Sequence, residues 1–247
     1  MRSLLSLSSL ALSLLLGPGF GLGCGGASSL PPHAADHPGN READAGAPRH
    51  AHGGAHHHDF SDAEAFAELF DDPSRDEWQR PEALLSQMQL RPGQRVADLG
   101  AGTGYFLSRL SRAVGDSGRV FALDTEAAMV AHMRARIAEE GLENVEIREV
   151  EAADPGLEEA SFDRILIVNT WHHIEDRGAY AALLLRALRP DGSIWIVDFT
   201  LESEHGPPVE MRLSAEQVLA DFVAGGAVAR ILDEGLPLQY IVRATSP

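Results

Sequence analysis

The stretch VADLGAGTGYF, residues 96–106, decides the fold. It opens as an apolar run, passes through Gly100, Gly102 and Gly104, and ends on the aromatic pair Tyr105 and Phe106. An apolar strand that feeds a glycine-rich turn and then a helix is how open α/β sheets hold a nucleotide-like ligand beyond the carboxyl ends of their strands. Nearly the same string serves dinucleotides, ATP and S-adenosylmethionine, so the surrounding residues must choose among them.

The pattern on either side is a βαβ series. Residues 95–99 read as a strand, 105–114 as a helix and 120–123 as a strand. Residues 126–140 read as a long helix with Met129, Met133 and Ile137 at a spacing of four. Strands follow over 145–150 and 164–168. The run Ile165 to Val168 is apolar without alternation, as in a central parallel strand covered on both faces. A helix over 180–188 stops at Pro190-Asp191-Gly192, before a strand over 193–197. A helix over 214–223 starts at a cap region of Ser214, Glu216 and Gln217. Strands over 228–232 and 239–244 close the chain. Upstream, residues 66–70 look helical and Pro81 opens another helix. Such a series makes a mostly parallel sheet with helices on both faces.

The residues next to the glycines narrow the ligand. A phosphate-binding P-loop is excluded, because no Gly-Lys-Ser/Thr follows and the chain has no lysine. Tyr105 fills the slot that a dinucleotide fingerprint keeps small. Asp98 ends the first strand, where a carboxylate repels a pyrophosphate and suits an ammonium group.

From Arg91 to Thr200 the chain resembles the class I S-adenosylmethionine-dependent methyltransferases, their small-molecule branch in particular. Asp98-Leu99-Gly100-Ala101-Gly102-Thr103-Gly104 carries the likeness. The resemblance implies a Rossmann-like α/β fold with a seven-stranded, mostly parallel sheet. Its last strand runs antiparallel between the fifth and sixth. It implies S-adenosylmethionine as cofactor, held by Asp98, Gly100, Ala101, Gly102, Gly104 and Tyr105. Asp124 and Thr125 follow the second strand, where an acidic residue takes both ribose hydroxyls; capping the next helix is a compatible second job. Glu151 and Ala152 stand where the family contacts adenine, and Asn169 and Thr170 where it contacts the methionine part. The segment FDDPSRDEWQRP, residues 70–81, either folds over the cofactor through Arg75, Trp78 and Gln79 or packs on the surface. His172, His173, Glu175 and Asp198 fall at the carboxyl edge of the sheet. Histidine titrates near neutrality, so His172 or His173 is the candidate general base, although paired histidines here also serve structural roles. The implied partner is a small-molecule or lipid-like methyl acceptor.

Composition and the N-terminus bound the rest. A net charge of −17 argues against nucleic acid as the main partner. The absence of lysine excludes Schiff-base chemistry. One cysteine, Cys24, permits neither an intramolecular disulfide nor a cysteine-based zinc site, and no metal-ligand set is expected in the domain. Arg2, an apolar stretch over 4–16 and small residues up to Cys24 fit a secretory signal, too short to span a bilayer comfortably. Cys24 stands where a bacterial lipoprotein is lipidated, which would place the protein in the cell envelope, touching the membrane only through this segment. An ordinary signal, an uncleaved anchor or a cytoplasmic protein are the other readings. Residues 25–59 hold seven of the 11 histidines among Gly, Ala and Pro and read as a disordered linker, with metal capture as an alternative. Residues 60–247 are the expected methyltransferase domain. The competing functional reading is a non-catalytic envelope protein that binds S-adenosylmethionine or metal. Export conflicts with a donor made in the cytoplasm.

Overall fold

Seven strands join into one sheet in the order β3-β2-β1-β4-β5-β7-β6. A computed structural model describes residues 66, 67, 70–232 and 235–247. The expected signal, Cys24, the expected linker over 25–59 and every other residue before Phe66 lie outside those residues. The strands are β1 (Arg95–Leu99), β2 (Arg119–Asp124), β3 (Val145–Glu149), β4 (Phe162–Val168), β5 (Leu188–Phe199), β6 (Val228–Leu232) and β7 (Gln239–Thr245). β1 to β5 are mutually parallel, and β7 lies antiparallel between β5 and β6. The antiparallel place of β7 between β5 and β6 is the one that the resemblance implies.

The apolar run of β4 explains the two-sided core. Ile165 and Ile167 point into one cluster with Trp171, Leu184 and Phe222. Leu166 and Val168 point into the other with Leu84, Met88, Leu107 and Leu110. Alternation places successive side chains on opposite faces, so a strand buried on both sides must be apolar throughout.

The helices are α1 (Arg75–Gln79), α2 (Pro81–Met88), α3 (Leu107–Val114), α4 (Ala127–Glu140), α5 (Arg177–Ala187) and α6 (Ala215–Ala224). Pro81 sits in the first turn of α2. Ser214 and Gln217 form a reciprocal capping box on α6, so the expected cap region is the observed one. Gly141 ends α4 in a left-handed conformation. Of the boundaries that differ from the sequence reading, three have an evident cause. α3 begins at Leu107 rather than Tyr105, because residues 100–106 stay in turns. α5 begins at Arg177, where the Asp176 side chain accepts from the Ala179 N–H at 3.2 Å. The third concerns Pro190-Asp191-Gly192, expected to separate helix from strand. The helix ends at Ala187, and β5 runs through this triplet. Leu188 pairs with Phe162 and Ser193 with Arg164, so the triplet is an irregular insert in the ladder.

Candidate functional site

The cavity lies where β1, β2 and β4 end. At the exit of β1 the Gly100 and Ala101 N–H groups donate to the Leu123 carbonyl at 2.8 and 3.0 Å, which ties the glycine loop to β2. The Gly102 N–H donates to Asp124 Oδ2 at 2.8 Å, and the Glu126 N–H donates to Asp124 Oδ1 at 3.0 Å. One carboxylate therefore braces both the loop and the start of α4. Burial pushes the Asp124 pKa up, against backbone hydrogen bonds that hold it down.

Gly100 and Gly102 both have positive φ, for different purposes. A Cβ at Gly100 would lie 2.3 Å from Thr170 Oγ1, so only glycine lets the loops after β1 and β4 approach this closely. A Cβ at Gly102 would meet only Phe70, at 3.8 Å, so its backbone is open to a ligand. The Thr170 hydroxyl donates to the Val168 carbonyl at 3.0 Å.

The cavity measures about 630 Å³, within the usual range for a small-ligand site. The expected residues Asp98, Gly100, Ala101, Gly102, Tyr105, Asp124 and Thr125 line it, as do Ala152, Asn169, Thr170, His172 and His173. Two others do not. Gly104 sits behind the loop, where a Cβ would strike Leu107 at 2.7 Å. Glu151 is exposed at a turn bridged to Asp154, and its neighbours Val150 and Ala152 face the cavity instead.

Asp98 is 2% exposed, and its Oδ2 finds no hydrogen-bond partner among the described residues. Burial raises its pKa to about 7; Arg75 opposes the rise and Asp124 adds to it. Arg75 enters the same cavity from α1. Its guanidinium lies 3.9 Å from the Tyr105 ring centroid, donates to the Phe70 carbonyl at 2.8 Å and forms no ion pair among the described residues. Burial lowers its pKa to about 10, so it remains a cation at neutral pH. A buried carboxyl without a hydrogen-bond partner on one oxygen and a part-buried guanidinium without an ion pair thus face one space. That arrangement suits a zwitterion, because uncompensated buried charge is costly. The donor set fits S-adenosylmethionine, whose amino-acid end carries an ammonium and a carboxylate. It does not fit a pyrophosphate.

The segment 70–81 splits between the two expected roles. Phe70 and Arg75 line the cavity, whereas Trp78 packs on Phe199 and stacks on His205. Gln79 is fully buried and donates to Gln239 Oε1 at 2.6 Å. Gln239 in turn donates to Asn169 Oδ1 at 2.7 Å. The sequence reading missed Gln239, for nothing near residue 239 hints at a partner 160 positions away.

His172, which lines the same cavity, belongs to the short 3₁₀ turn Trp171–His173 that follows β4. Its Nδ1 lies 2.8 Å from Asp198 Oδ2, and the two side chains are 3% and 1% exposed. Asp198 Oδ1 accepts from the Phe199 N–H at 2.9 Å. An ionised carboxylate only accepts, so with Asp198 ionised the Nδ1 of His172 donates and Nε2 is the nitrogen left without a proton. The His173 ring lies 4.2 Å from that of His172, centroid to centroid.

Fold and site together define a Rossmann-like protein with a pocket for a zwitterionic, phosphate-free nucleoside ligand. Residues 96–192 match the methyltransferase-domain family. A methyltransferase from Aquifex aeolicus, described as dependent on S-adenosylmethionine, superimposes with a TM-score of 0.69 at 31% identity; the match covers 74% of this chain and 97% of that one. The chain belongs to the S-adenosylmethionine-dependent methyltransferases, and S-adenosylmethionine is its cofactor. The ubiquinone/menaquinone biosynthesis C-methyltransferase UbiE of Coxiella burnetii is 32% identical over 117 residues, 47% of each chain. The nocamycin O-methyltransferase of Saccharothrix syringae is 33% identical over 162 residues, 65% of this chain and 55% of that enzyme. The chain therefore spans about half the length of the curated relatives it matches.

Proposed function

We propose that the protein methylates an oxygen or nitrogen of a small-molecule or lipid-like acceptor, with His172 as general base. The observation that carries this reading is the buried His172–Asp198 pair in the same cavity as the cofactor-type residues. The bound cofactor supplies a methyl group on a sulfonium, already joined to a good leaving group. The protein's tasks are then to position the acceptor, exclude water and remove one proton.

Asp98 in its ionised form takes the ammonium, and Arg75 takes the carboxylate. A carboxylate has about four acceptor sites. Two of those on Asp124 hold the Gly102 and Glu126 N–H groups, which leaves capacity for two ribose hydroxyls. Ala152 flanks the adenine, and Glu151 reaches it only by turning inward from its exposed position. Asn169 and Thr170 flank the methionine part. His172 Nε2 accepts the acceptor's proton as the methyl group arrives. Asp198 holds the ring and stabilises the imidazolium that forms. His173 completes the wall beside it. The relatives named for C- and O-methylation support a small-molecule acceptor.

The test is a methyl-acceptor screen on the full chain, followed by kinetics of His172→Gln and Asp198→Asn. The expected result is a loss of about 10²–10⁴-fold in kcat for His172→Gln, with cofactor affinity unchanged. Asp198→Asn should also move the pH profile of kcat. Full activity in His172→Gln would remove the base from the mechanism. Absence of cofactor binding by calorimetry, with Asp98→Ala and Asp124→Ala indistinguishable from wild type, would overturn the whole reading. We also infer an envelope location through lipidated Cys24. A Cys24→Ala variant should leave the membrane fraction, and unchanged fractionation would refute that anchor.

A further inference from the structure

One face of the sheet carries Leu166, Trp195, Val197 and Ile241 into the core. Toward the edge away from the cavity, the same face carries arginines. Arg230 of β6 stands directly opposite Arg243 of β7, and Arg243 stands directly opposite Trp195 of β5. The Arg243 guanidinium lies 5.6 Å from the Trp195 ring centroid. Arg164 of β4 pairs with Ser193, two residues before Trp195, and so shares the face.

Like charges directly opposite each other destabilise a sheet, and among the described residues no carboxylate pairs with either of these two. Among the described residues, neither Arg230 nor Arg243 makes a side-chain hydrogen bond or an ion pair, and Arg243 Nε is buried without a partner. The guanidiniums feel one another. Burial and then Arg230 lower the Arg243 pKa; burial, Arg243 and Arg91 lower that of Arg164, against Asp163, which raises it. A chain of net charge −17 thus gathers cations where they repel. Protection of the edge strand against pairing explains one charge on β6. It does not explain Arg243 on the inner strand β7 or Arg164 two strands further in.

We propose that Arg164, Arg230 and Arg243 form a binding site for a phosphate-type oxyanion, separate from the cofactor cavity. Arg230 and Arg243 supply the planar donor forks that match a phosphate. Trp195 backs the Arg243 guanidinium. Arg164 donates to the Met88 and Asp163 carbonyls and contributes charge rather than donors.

The test uses the full chain and calorimetric titration with inorganic phosphate, against chloride at equal ionic strength. Wild type should bind phosphate, and R230Q/R243Q should lose at least tenfold in affinity while keeping its cofactor affinity. In phosphate-free buffer the double variant should melt no lower than wild type, since it relieves a repulsion. If R230Q/R243Q fails to fold, R230K/R243K keeps the charges and removes the forks, and should bind more weakly than wild type. Vesicles of phosphatidylglycerol against phosphatidylcholine separate the two sources of such a group. Charge-selective vesicle binding that disappears in the double variant identifies a lipid headgroup; phosphate binding without it identifies a soluble phosphate ester. Wild type that shows no phosphate binding above chloride, or a double variant that binds as wild type does, overturns the site.

Discussion

Asp98 stores the conflict between stability and function in one side chain. Its folded pKa is about 7, against an ordinary value of 3.8. Between those values the folded state holds a proton that the unfolded chain releases, so this group's contribution to stability falls as pH rises from 4 to 7. Above pH 7 the full penalty of a buried carboxylate applies, on the order of 2–4 kcal/mol. Asp98→Asn should therefore raise the urea midpoint at pH 8, and the gain should vanish near pH 4. The same variant should lose the cofactor, because an amide offers no charge to an ammonium. In wild type, cofactor affinity should fall about tenfold per unit of pH below 7, as the carboxyl takes up its proton. Calorimetry from pH 5.5 to 8 reads this slope, and a flat profile would remove Asp98 from ammonium binding. The carboxylate's position before the glycines was legible in the sequence. Its raised pKa was not, because that comes from burial, reinforced by Asp124 and opposed by Arg75, 23 residues upstream.

Among the elements, the loop after β1 was readable because its demands are local. A strand must end, the backbone must take positive φ, and the next helix must begin. The loop's use of three glycines is less uniform than its spacing suggests. Gly100→Ala combines left-handed φ with a Cβ 2.3 Å from Thr170 Oγ1, whereas Gly102→Ala carries the backbone strain alone. Gly100→Ala should cost about 2–4 kcal/mol in unfolding free energy and Gly102→Ala about 1 kcal/mol. Gly102→Ala should still weaken cofactor binding, since its Cβ enters the open cradle. Equal destabilisation by the two would refute the close approach of the loops after β1 and β4. Elements set by distant pairing were less legible. β5 begins at Leu188 only because Phe162 offers it a partner. The turn at Glu151 aims that side chain outward through a bridge to Asp154, which no periodicity announces. The His172–Asp198 pair joins residues 26 apart across two strand ends, so the sequence supplied both members but not their contact.

Across the whole molecule, two residues of the cavity are joined by a hydrogen-bonded relay that runs between distant parts of the chain. Arg75 donates to Gln79 Oε1, Gln79 to Gln239 Oε1, and Gln239 to Asn169 Oδ1, at 3.2, 2.6 and 2.7 Å. Arginine can only donate, so it fixes the direction of every amide behind it. The relay starts and ends on cavity residues and passes through α1, β7 and the turn after β4. Asn169 is already held in a left-handed conformation, with φ of 55°, and its side chain is oriented by Gln239. Gln239→Leu would leave the Gln79 amide donor and the Asn169 carbonyl oxygen without partners in a buried setting, at about 1–3 kcal/mol for each orphaned group. Gln79→Leu would leave Gln239 Oε1 without its donor and deprive Arg75 of an acceptor. The double replacement buries apolar groups in place of both amides. It should therefore destabilise by less than the sum of the single changes, with a coupling on the order of 1 kcal/mol or more. Both single variants should also weaken cofactor binding without altering the cavity's chemistry, because Arg75 and Asn169 would each lose an orienting contact. Urea unfolding of the four proteins, paired with cofactor titrations, measures the coupling directly. Strict additivity would show that the two glutamines act independently, and that the cavity depends on local packing rather than on a connection between α1 and β7.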